Sequence, residues 1–476
     1  MSQSEPTRPN ILVLFSDTHS ADATGCYGSP VAQTPHMDRL AGEGVLFERA
    51  YCQNPLCVPS RQSLITGRYS FQTGIIHNDQ PMPAMYTLGH HFKQVGYDTA
   101  ALGKMHFIPD TEASLGKERH FGFDDRVDYE EFYWYLRNER AAPPLPDEPD
   151  DPWRIIHLEH KQHVLQAPLV KRNQTSDPSK DAFRPATLPH EDHQEALVLR
   201  RWAEFLKRPR EKPFLAFVSF QSPHPPFIPP EEILAQHDGP IPLPPLPGEE
   251  FLKHPIWRNH SHIAPDPARE KHLRYYHAFV SYTDWCVGEA LRLLDEAGRR
   301  DDTLVIYVSD HGDMQFVHGM GGKCVFFEPS VHVPLIMRWP GRIAAAWRYR
   351  GLVELVDLFP TFCECAGITP PSDLPGRSLW RDLQTKSDRG KEIVFSESYP
   401  MERSRNWMGD KPHRMVLTNQ WKLVQYGDTC VDLFDVTTDP ENKFNRSDDP
   451  ALAQVKRDLL RAIQNRLGDC HGANQD

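Results

Sequence analysis

Four short polar clusters carry most of the reactive side chains of this chain. They are Ser16-Asp17-Thr18-His19, Gly103-Lys104-Met105-His106, Gln221-Ser222-Pro223-His224 and Ser309-Asp310-His311-Gly312-Asp313. Carboxylates and imidazoles bind metals and move protons, and lysines act as point charges for anions. Each cluster directly follows a segment that reads as a strand, at 11–15, 97–102, 214–220 and 304–308, the first of them a continuous apolar run. Continuous runs of that length suit buried parallel strands. Ligands of an open parallel sheet bind beyond the carboxyl ends of its strands. One such cluster is ordinary loop chemistry; four of them at parallel strand ends predict one crevice and an active site. A fifth piece is Leu56-Cys57-Val58-Pro59-Ser60-Arg61. A lone cysteine before a helix is most often a small buried hydrophobe. A helix N-terminus and Arg61 would equally favour a thiolate, as nucleophile or metal ligand.

The elements that must position these groups alternate. Thr34-Pro35 opens a short helix through Leu40, with proline in the first turn. A strand follows at 45–50, then helices at 60–66, closed by Gly67, and 88–95, stopped by Gly96. Later helices are read at 195–206, 273–296 and 358–366, and a strand at 333–337. Repeated strand–helix units imply an α/β fold with a mostly parallel sheet covered on both faces. The pattern breaks between about 140 and 270, where 141–153 and 223–247 are rich in proline. A catalytic domain is expected over 1–385 and a smaller one over 386–476. The latter holds a hairpin of 415–418 with 421–425 and a last helix at 450–467.

Composition narrows the function. Acidic residues outnumber basic ones 65 to 53, for a net charge of −12 over 476 residues. That is the wrong sign for a general nucleic-acid or anionic-membrane binder, so neither partner is expected. No run approaches the length of a membrane span. The polar N-terminus lacks the apolar core of a secretory signal, which gives a cytoplasmic expectation. Nine irregularly spaced cysteines do not read as a disulfide framework.

Cys57-Val58-Pro59-Ser60-Arg61, followed by Thr66-Gly67-Arg68, resembles the signature of the formylglycine-dependent sulfatases. The resemblance runs along most of the chain. It takes in Pro9-Asn10-Ile11-Leu12 with Asp17, Thr34-Pro35-His36-Met37-Asp38-Arg39-Leu40-Ala41, and Gly103-Lys104-Met105-His106. It continues through His224, Ser309-Asp310-His311-Gly312, Gly322-Lys323, Glu328 and Leu433-Phe434-Asp435. It implies an alkaline-phosphatase-like α/β sandwich with a smaller C-terminal α+β domain. The implied activity is hydrolysis of sulfate monoesters to sulfate and an alcohol. Phosphonate or phosphate ester hydrolysis on the same scaffold is the alternative.

The resemblance also implies roles. Cys57, oxidised to formylglycine by a maturation enzyme, resembles the nucleophile, as a hydrated aldehyde with two hydroxyls. Asp17, Asp310, His311 and residue 57 resemble the ligands of one divalent metal ion, calcium or manganese. Arg61 would hold the two hydroxyls, and Lys104 and Lys323 would grip the sulfate oxygens. His106 resembles the base, His224 the leaving-group partner, and Asn78 a contact to the substrate anion. Many family members carry two adjacent aspartates where this chain has Asp17-Thr18. With one carboxylate fewer and an imidazole at His311, the shell moves away from calcium toward manganese or another transition metal. Choline-sulfatase-like and phosphonate-monoester-hydrolase-like branches share this departure. A small-molecule or saccharide sulfate ester is the expected substrate, and a homo-oligomer is compatible.

Other groups read as structural. His19, His318 and His332 are expected to be structural or exposed, and Asp313 to orient a neighbour. Cys363-Glu364-Cys365 is expected to pack in the core of a helix. Phe132-Tyr133-Trp134-Tyr135 suits a sugar platform or a packed insertion helix equally. Arg403, Arg405 and His413 suit either the crevice or the surface.

Overall fold

The run Asn-Ile-Leu-Val-Leu-Phe-Ser becomes the central strand β1 (Asn10–Ser16), buried along its whole length. It lies in a computed structural model that describes residues 8–78, 80, 85–106, 121–127, 193–248, 251, 254–257, 264–401 and 409–468. The other strands of its chain half are β2 (Val45–Phe47), β3 (Ala50–Tyr51), β4 (Asp98–Gly103) and β5 (Asp125–Val127). β6 (Phe214–Ser219), β7 (Thr303–Ser309), β8 (Leu335–Arg338), β9 (Trp347–Tyr349) and β10 (Val353–Glu354) follow. Eight of them form one sheet in the order β5-β4-β6-β1-β7-β8-β2-β9. β4, β6, β1 and β7 are adjacent and mutually parallel, as convergence of the four polar clusters required. β8 pairs antiparallel with both β7 and β2. β3 and β10 pair separately.

Alternation along β1 explains why both faces are apolar. Ile11, Val13 and Phe15 join one core with Leu88, Phe92, Phe359 and Phe362. Leu12 and Leu14 face the other, with Met37, Trp202, Phe205, Phe279 and Leu291. The helices Gln194–Lys207 and Asp266–Glu296 cover that second face. β11 (Ile393–Ser398), β12 (His413–Thr418), β13 (Trp421–Tyr426) and β14 (Cys430–Asp435) form an antiparallel sheet. Its helix Ala453–Gly468 packs Leu459 and Ile463 on Val416, Leu423 and Leu433. The expected division at residue 385 falls between the helix Trp380–Thr385 and β11.

A buried ionic knot ties the small β3–β10 pair to the C-terminal sheet. Lys391 Nζ bonds Glu354 and lies 2.6 Å from Asp357 Oδ1. Tyr69 donates its hydroxyl to Glu354 Oε2 at 2.7 Å, and Phe395 N donates to Glu354 Oε1 at 2.8 Å. Asp357 accepts from Glu354 N at 2.9 Å and from Arg377 N at 2.7 Å.

Two helices begin earlier than their sequence suggests. The signature helix is Cys57–Thr66, because Pro59 falls in its first turn, where a missing N–H costs nothing. The long helix starts at Asp266, whose first two turns are too charged to show apolar periodicity. All eight described cysteines are free. Among the described residues no helix is long and apolar enough to cross a membrane. The aromatic stretch 132–135, the proline-rich 141–153, Arg403 and Arg405 lie outside the described residues.

Candidate active site

Asp17 and Asp310 follow β1 and β7 directly, so the parallel pairing of Ser16 with Ser309 sets them side by side. The signature helix points its N-terminal residue, Cys57, at the pair. Leu56 is the N-cap and Gly67 the left-handed C-cap, at φ 66°, and every residue between is buried. Ser60 Oγ donates to Asp310 O at 2.5 Å, which anchors this helix to the end of β7.

Cys57 Sγ lies 3.3 Å from His311 Nε2 and 3.7 Å from Asp17 Oδ1. The donor atoms of Asp17, Cys57, Asp310 and His311 all lie within 4.8 Å of one another. Two carboxylates, one imidazole and one further donor at that spacing fit a single divalent cation. Their neighbours fix them. Asp310 accepts from Arg61 Nε at 2.7 Å, Thr18 N at 3.0 Å and His311 N at 2.9 Å. Asp17 accepts the Thr18 hydroxyl at 2.6 Å, and Lys104 Nζ is 2.5 Å from its Oδ2. His311 Nδ1 lies 3.0 Å from Gly312 O, so it carries the proton and leaves Nε2 as the donor atom.

Cations crowd this cluster. Lys323 Nζ, half-buried at its mouth, lies 2.9 Å from Cys57 Sγ, 3.2 Å from His311 Nε2 and 3.4 Å from Thr18 Oγ1. Burial and the Asp17 charge push the Cys57 thiol up, but Lys323, His311 and Lys104 outweigh them and hold it well below its ordinary value. Burial likewise opposes the Asp17 charge, yet Lys104, His224, Arg61 and Lys323 keep that carboxyl well below the usual range. Burial and the Asp17 charge push Asp310 up against the pull of His311 and Arg61. His224 is driven down to about 4, first by burial and then by Lys104 and Lys323, so its ring is neutral at pH 7. Its Nδ1 lies 2.5 Å from Pro225 O and 3.2 Å from Gln221 Nε2. Glu195 holds that loop from below, taking Ser222 N at 3.1 Å while pairing with His193 at 2.7 Å.

Arg61 sits elsewhere than its expected place on residue 57. Its donors go to Asp310, Asp17, Ser16 O, Ser219 Oγ and Lys104 O, and its guanidinium stacks on Phe15. Those five bonds use every N–H a guanidinium has, so Arg61 acts through the carboxylates. Asn78 Oδ1 accepts from Val58 N at 3.0 Å, which secures the first turn of the signature helix. His106, at φ 52°, keeps a buried Nδ1 without a hydrogen-bond partner among the described residues.

Sequence reasoning missed the part played by Thr18. Its N–H holds Asp310, its hydroxyl holds Asp17, and its carbonyl accepts from Tyr276 at 3.1 Å. The residue stands at φ 65°, a left-handed conformation that is an outlier for a β-branched side chain. Its signal was the absent second aspartate, read there only as a lost ligand. The bland readings hold where they can be seen. His19 bonds Tyr307 and Thr24, His318 bonds Glu441 O, and His332 packs on Tyr51. Asp313 caps Gln315 N, and Cys363 and Cys365 lie in the core. His413 is buried against Tyr426 rather than exposed.

The family profile described as Sulfatase matches residues 9–368, and one described as N-sulphoglucosamine sulphohydrolase, C-terminal, matches residues 317–468. An uncharacterised sulfatase of Escherichia coli K12 is 29% identical, across 96% of this chain and 86% of its own length. The N-acetylglucosamine-6-O-sulfatase of Bacteroides thetaiotaomicron is 26% identical, across 97% and 86%. The solved phosphonate monoester hydrolase of Agrobacterium radiobacter superposes with a TM-score of 0.78 at 23% identity, across 98% of this chain and 96% of that one.

Proposed function

We propose, for a chain that belongs to the sulfatase family, that it hydrolyses sulfate monoesters to sulfate and an alcohol at residue 57. The observation that carries the reading is the placing of Cys57. It is buried among Asp17, Asp310 and His311, with Lys104 and Lys323 close by and more cations than carboxylates around it. A singly charged ester oxyanion suits that surplus.

Oxidation of Cys57 to formylglycine by a maturation enzyme would supply a hydrated aldehyde, one hydroxyl to attack sulfur and a second to expel sulfate. Asp17, Asp310, His311 and residue 57 would hold one divalent metal ion, which when bound supplies Lewis acidity toward the ester. The imidazole and the missing second carboxylate favour manganese or another transition metal over calcium there. Lys104 and Lys323 neutralise the sulfate oxygens as charge builds in the transition state. His224 stands on the leaving-group side and His106 accepts a proton in the release step. Arg61 keeps both carboxylates in register. A sulfated saccharide is the favoured substrate, supported by the likeness to an N-acetylglucosamine-6-O-sulfatase.

A second reading, phosphonate monoester hydrolysis, draws support from the 0.78 TM-score. The Lys104–His106 pair favours sulfate. Catalytic efficiency on an aryl sulfate is expected to exceed that on the matching aryl phosphonate monoester. The reverse order would replace the first reading by the second. Peptide mass spectrometry across residues 50–68 tests the modification, and unmodified cysteine in fully active protein would sink it.

A further inference from the structure

We infer that the chain with Cys57 unoxidised is a zinc-thiolate protein, and that oxidation of this one residue turns the same site toward harder cations. The inference deepens the proposed function and rests on it for the oxidised state alone.

The geometry comes first. Tetrahedral zinc, with Zn–S of about 2.3 Å and Zn–N and Zn–O of about 2.0–2.2 Å, has donor–donor edges of about 3.3–3.6 Å. Cys57 Sγ is 3.3 Å from His311 Nε2 and 3.7 Å from Asp17 Oδ1, and His311 Nε2 is 3.6 Å from Asp310 Oδ1. Three of the polyhedron's edges are therefore already drawn to within a few tenths of an ångström.

Donor chemistry points the same way. One thiolate, one imidazole and two carboxylates make a zinc set, whereas calcium asks for six to eight oxygens. Sulfur selects zinc over manganese, which prefers oxygen ligands. The supporting contacts of a metal site are present too. His311 has its Nε2 freed by the Nδ1 bond to Gly312 O. Each carboxylate is oriented by Thr18 and by a cation. The Lys323 ammonium lies against both the sulfur and the imidazole nitrogen, which marks the spot as one that draws positive charge. On binding, the thiol proton leaves to solvent and the sulfur ligates. Oxidation of residue 57 removes the only soft donor, and an oxygen stands in its place.

The test uses the full chain made without a maturation enzyme, residue 57 being verified as cysteine by peptide mass. It is titrated with zinc alone, manganese alone and cobalt alone. One equivalent of zinc is expected to bind roughly a hundredfold or more tighter than manganese. Cobalt is expected to give a sulfur-to-metal charge-transfer band in the near ultraviolet. Cys57→Ser should lose that band and most of the zinc preference; if that variant does not fold, the oxidised chain serves as the sulfur-free comparator. No band, a band that persists without the Cys57 sulfur, or equal zinc and manganese affinity would overturn the inference. Failure of the sulfatase reading would show differently, as an oxidised chain that binds metal but turns over no sulfate ester, with the band of the unoxidised chain untouched.

Discussion

Two of the buried ionic clusters among the described residues differ in sign and in saturation. At the seam between the β3–β10 pair and the C-terminal sheet, Glu354 and Asp357 share Lys391, so carboxylates outnumber cations. The surplus is absorbed locally, by Tyr69, Phe395 N, Arg377 N and the backbone of Glu354 itself. At the carboxyl ends of β1 and β7, Asp17 and Asp310 face Arg61, Lys104 and Lys323, so cations outnumber carboxylates. Arg61 is saturated there, whereas Lys323 leans on a thiol, an imidazole and a hydroxyl at the mouth. Burial of charge is common to both. What separates a clamp from a site is whether the protein itself completes the charge.

The sharpest way to break this contrast is to remove one cation from each cluster. Lys323→Met is expected to lower kcat/KM by roughly a hundred- to a thousandfold on an aryl sulfate, the usual loss for a charge-stabilising group. Its melting temperature should fall far less than that of a chain lacking Lys391, because Lys323 is only half-buried at the mouth. A large drop in stability with intact kcat would make the site cluster a second clamp. Lys391→Met should do the opposite, costing about 3–5 kcal/mol by stranding two buried carboxylates. Denaturant unfolding would show the loss, and kcat of the folded fraction should stay near that of the parent chain.

A finer probe works inside the site. Thr18→Val keeps the shape and deletes the hydroxyl on Asp17, so metal affinity measured by calorimetry should weaken about tenfold, the worth of one charge-assisted bond. Thr18→Ser should restore most of it. Thr18→Asp should move preference toward calcium by adding a hard anionic oxygen; an unchanged preference would disconnect the metal from this position.

The last probe lies away from both clusters, at His277, and its effect vanishes at neutral pH. Burial first, then His237 and His272, drive its pKa down to about 3. The unfolded ring titrates near 6.5, so its contribution is complete above that pH and is lost as pH falls toward 3. The slope is about 1.4 kcal/mol per pH unit for this group. His277→Gln should flatten the acid limb of the stability curve between pH 6 and 4, and an identical limb in both chains would show the ring already charged.

The parallel core was legible because β1, β6 and β7 are short, almost wholly apolar runs, and the polar successors of these strands and of β4 marked one end of the sheet. Cys57 with its helix was legible from local spacing. Less could be read where partners are distant in sequence. Nothing around Glu354 announces Lys391 or Tyr69, and the antiparallel course of β8 depends on neighbours on both sides. Arg61 looked like a group aimed at residue 57, since only the folded chain reveals five acceptors converging on it. Thr18 looked like a missing ligand, since its positive φ and its two carboxylate partners exist only after β1 and β7 pair.

The position of β1 has a kinetic corollary. The strand is flanked by β7 through its whole length and by β6 from Ile11 to Phe15, and it is buried throughout. Amides in such a strand exchange with deuterium only when the whole sheet opens, not by fraying. Asp17 is the next residue along the chain, and Asp310 has the same relation to β7. The reactive geometry therefore shares one opening event with the global fold. On heating, activity and native structure should disappear along a single curve, with no milder temperature at which the site has loosened and the sheet has not.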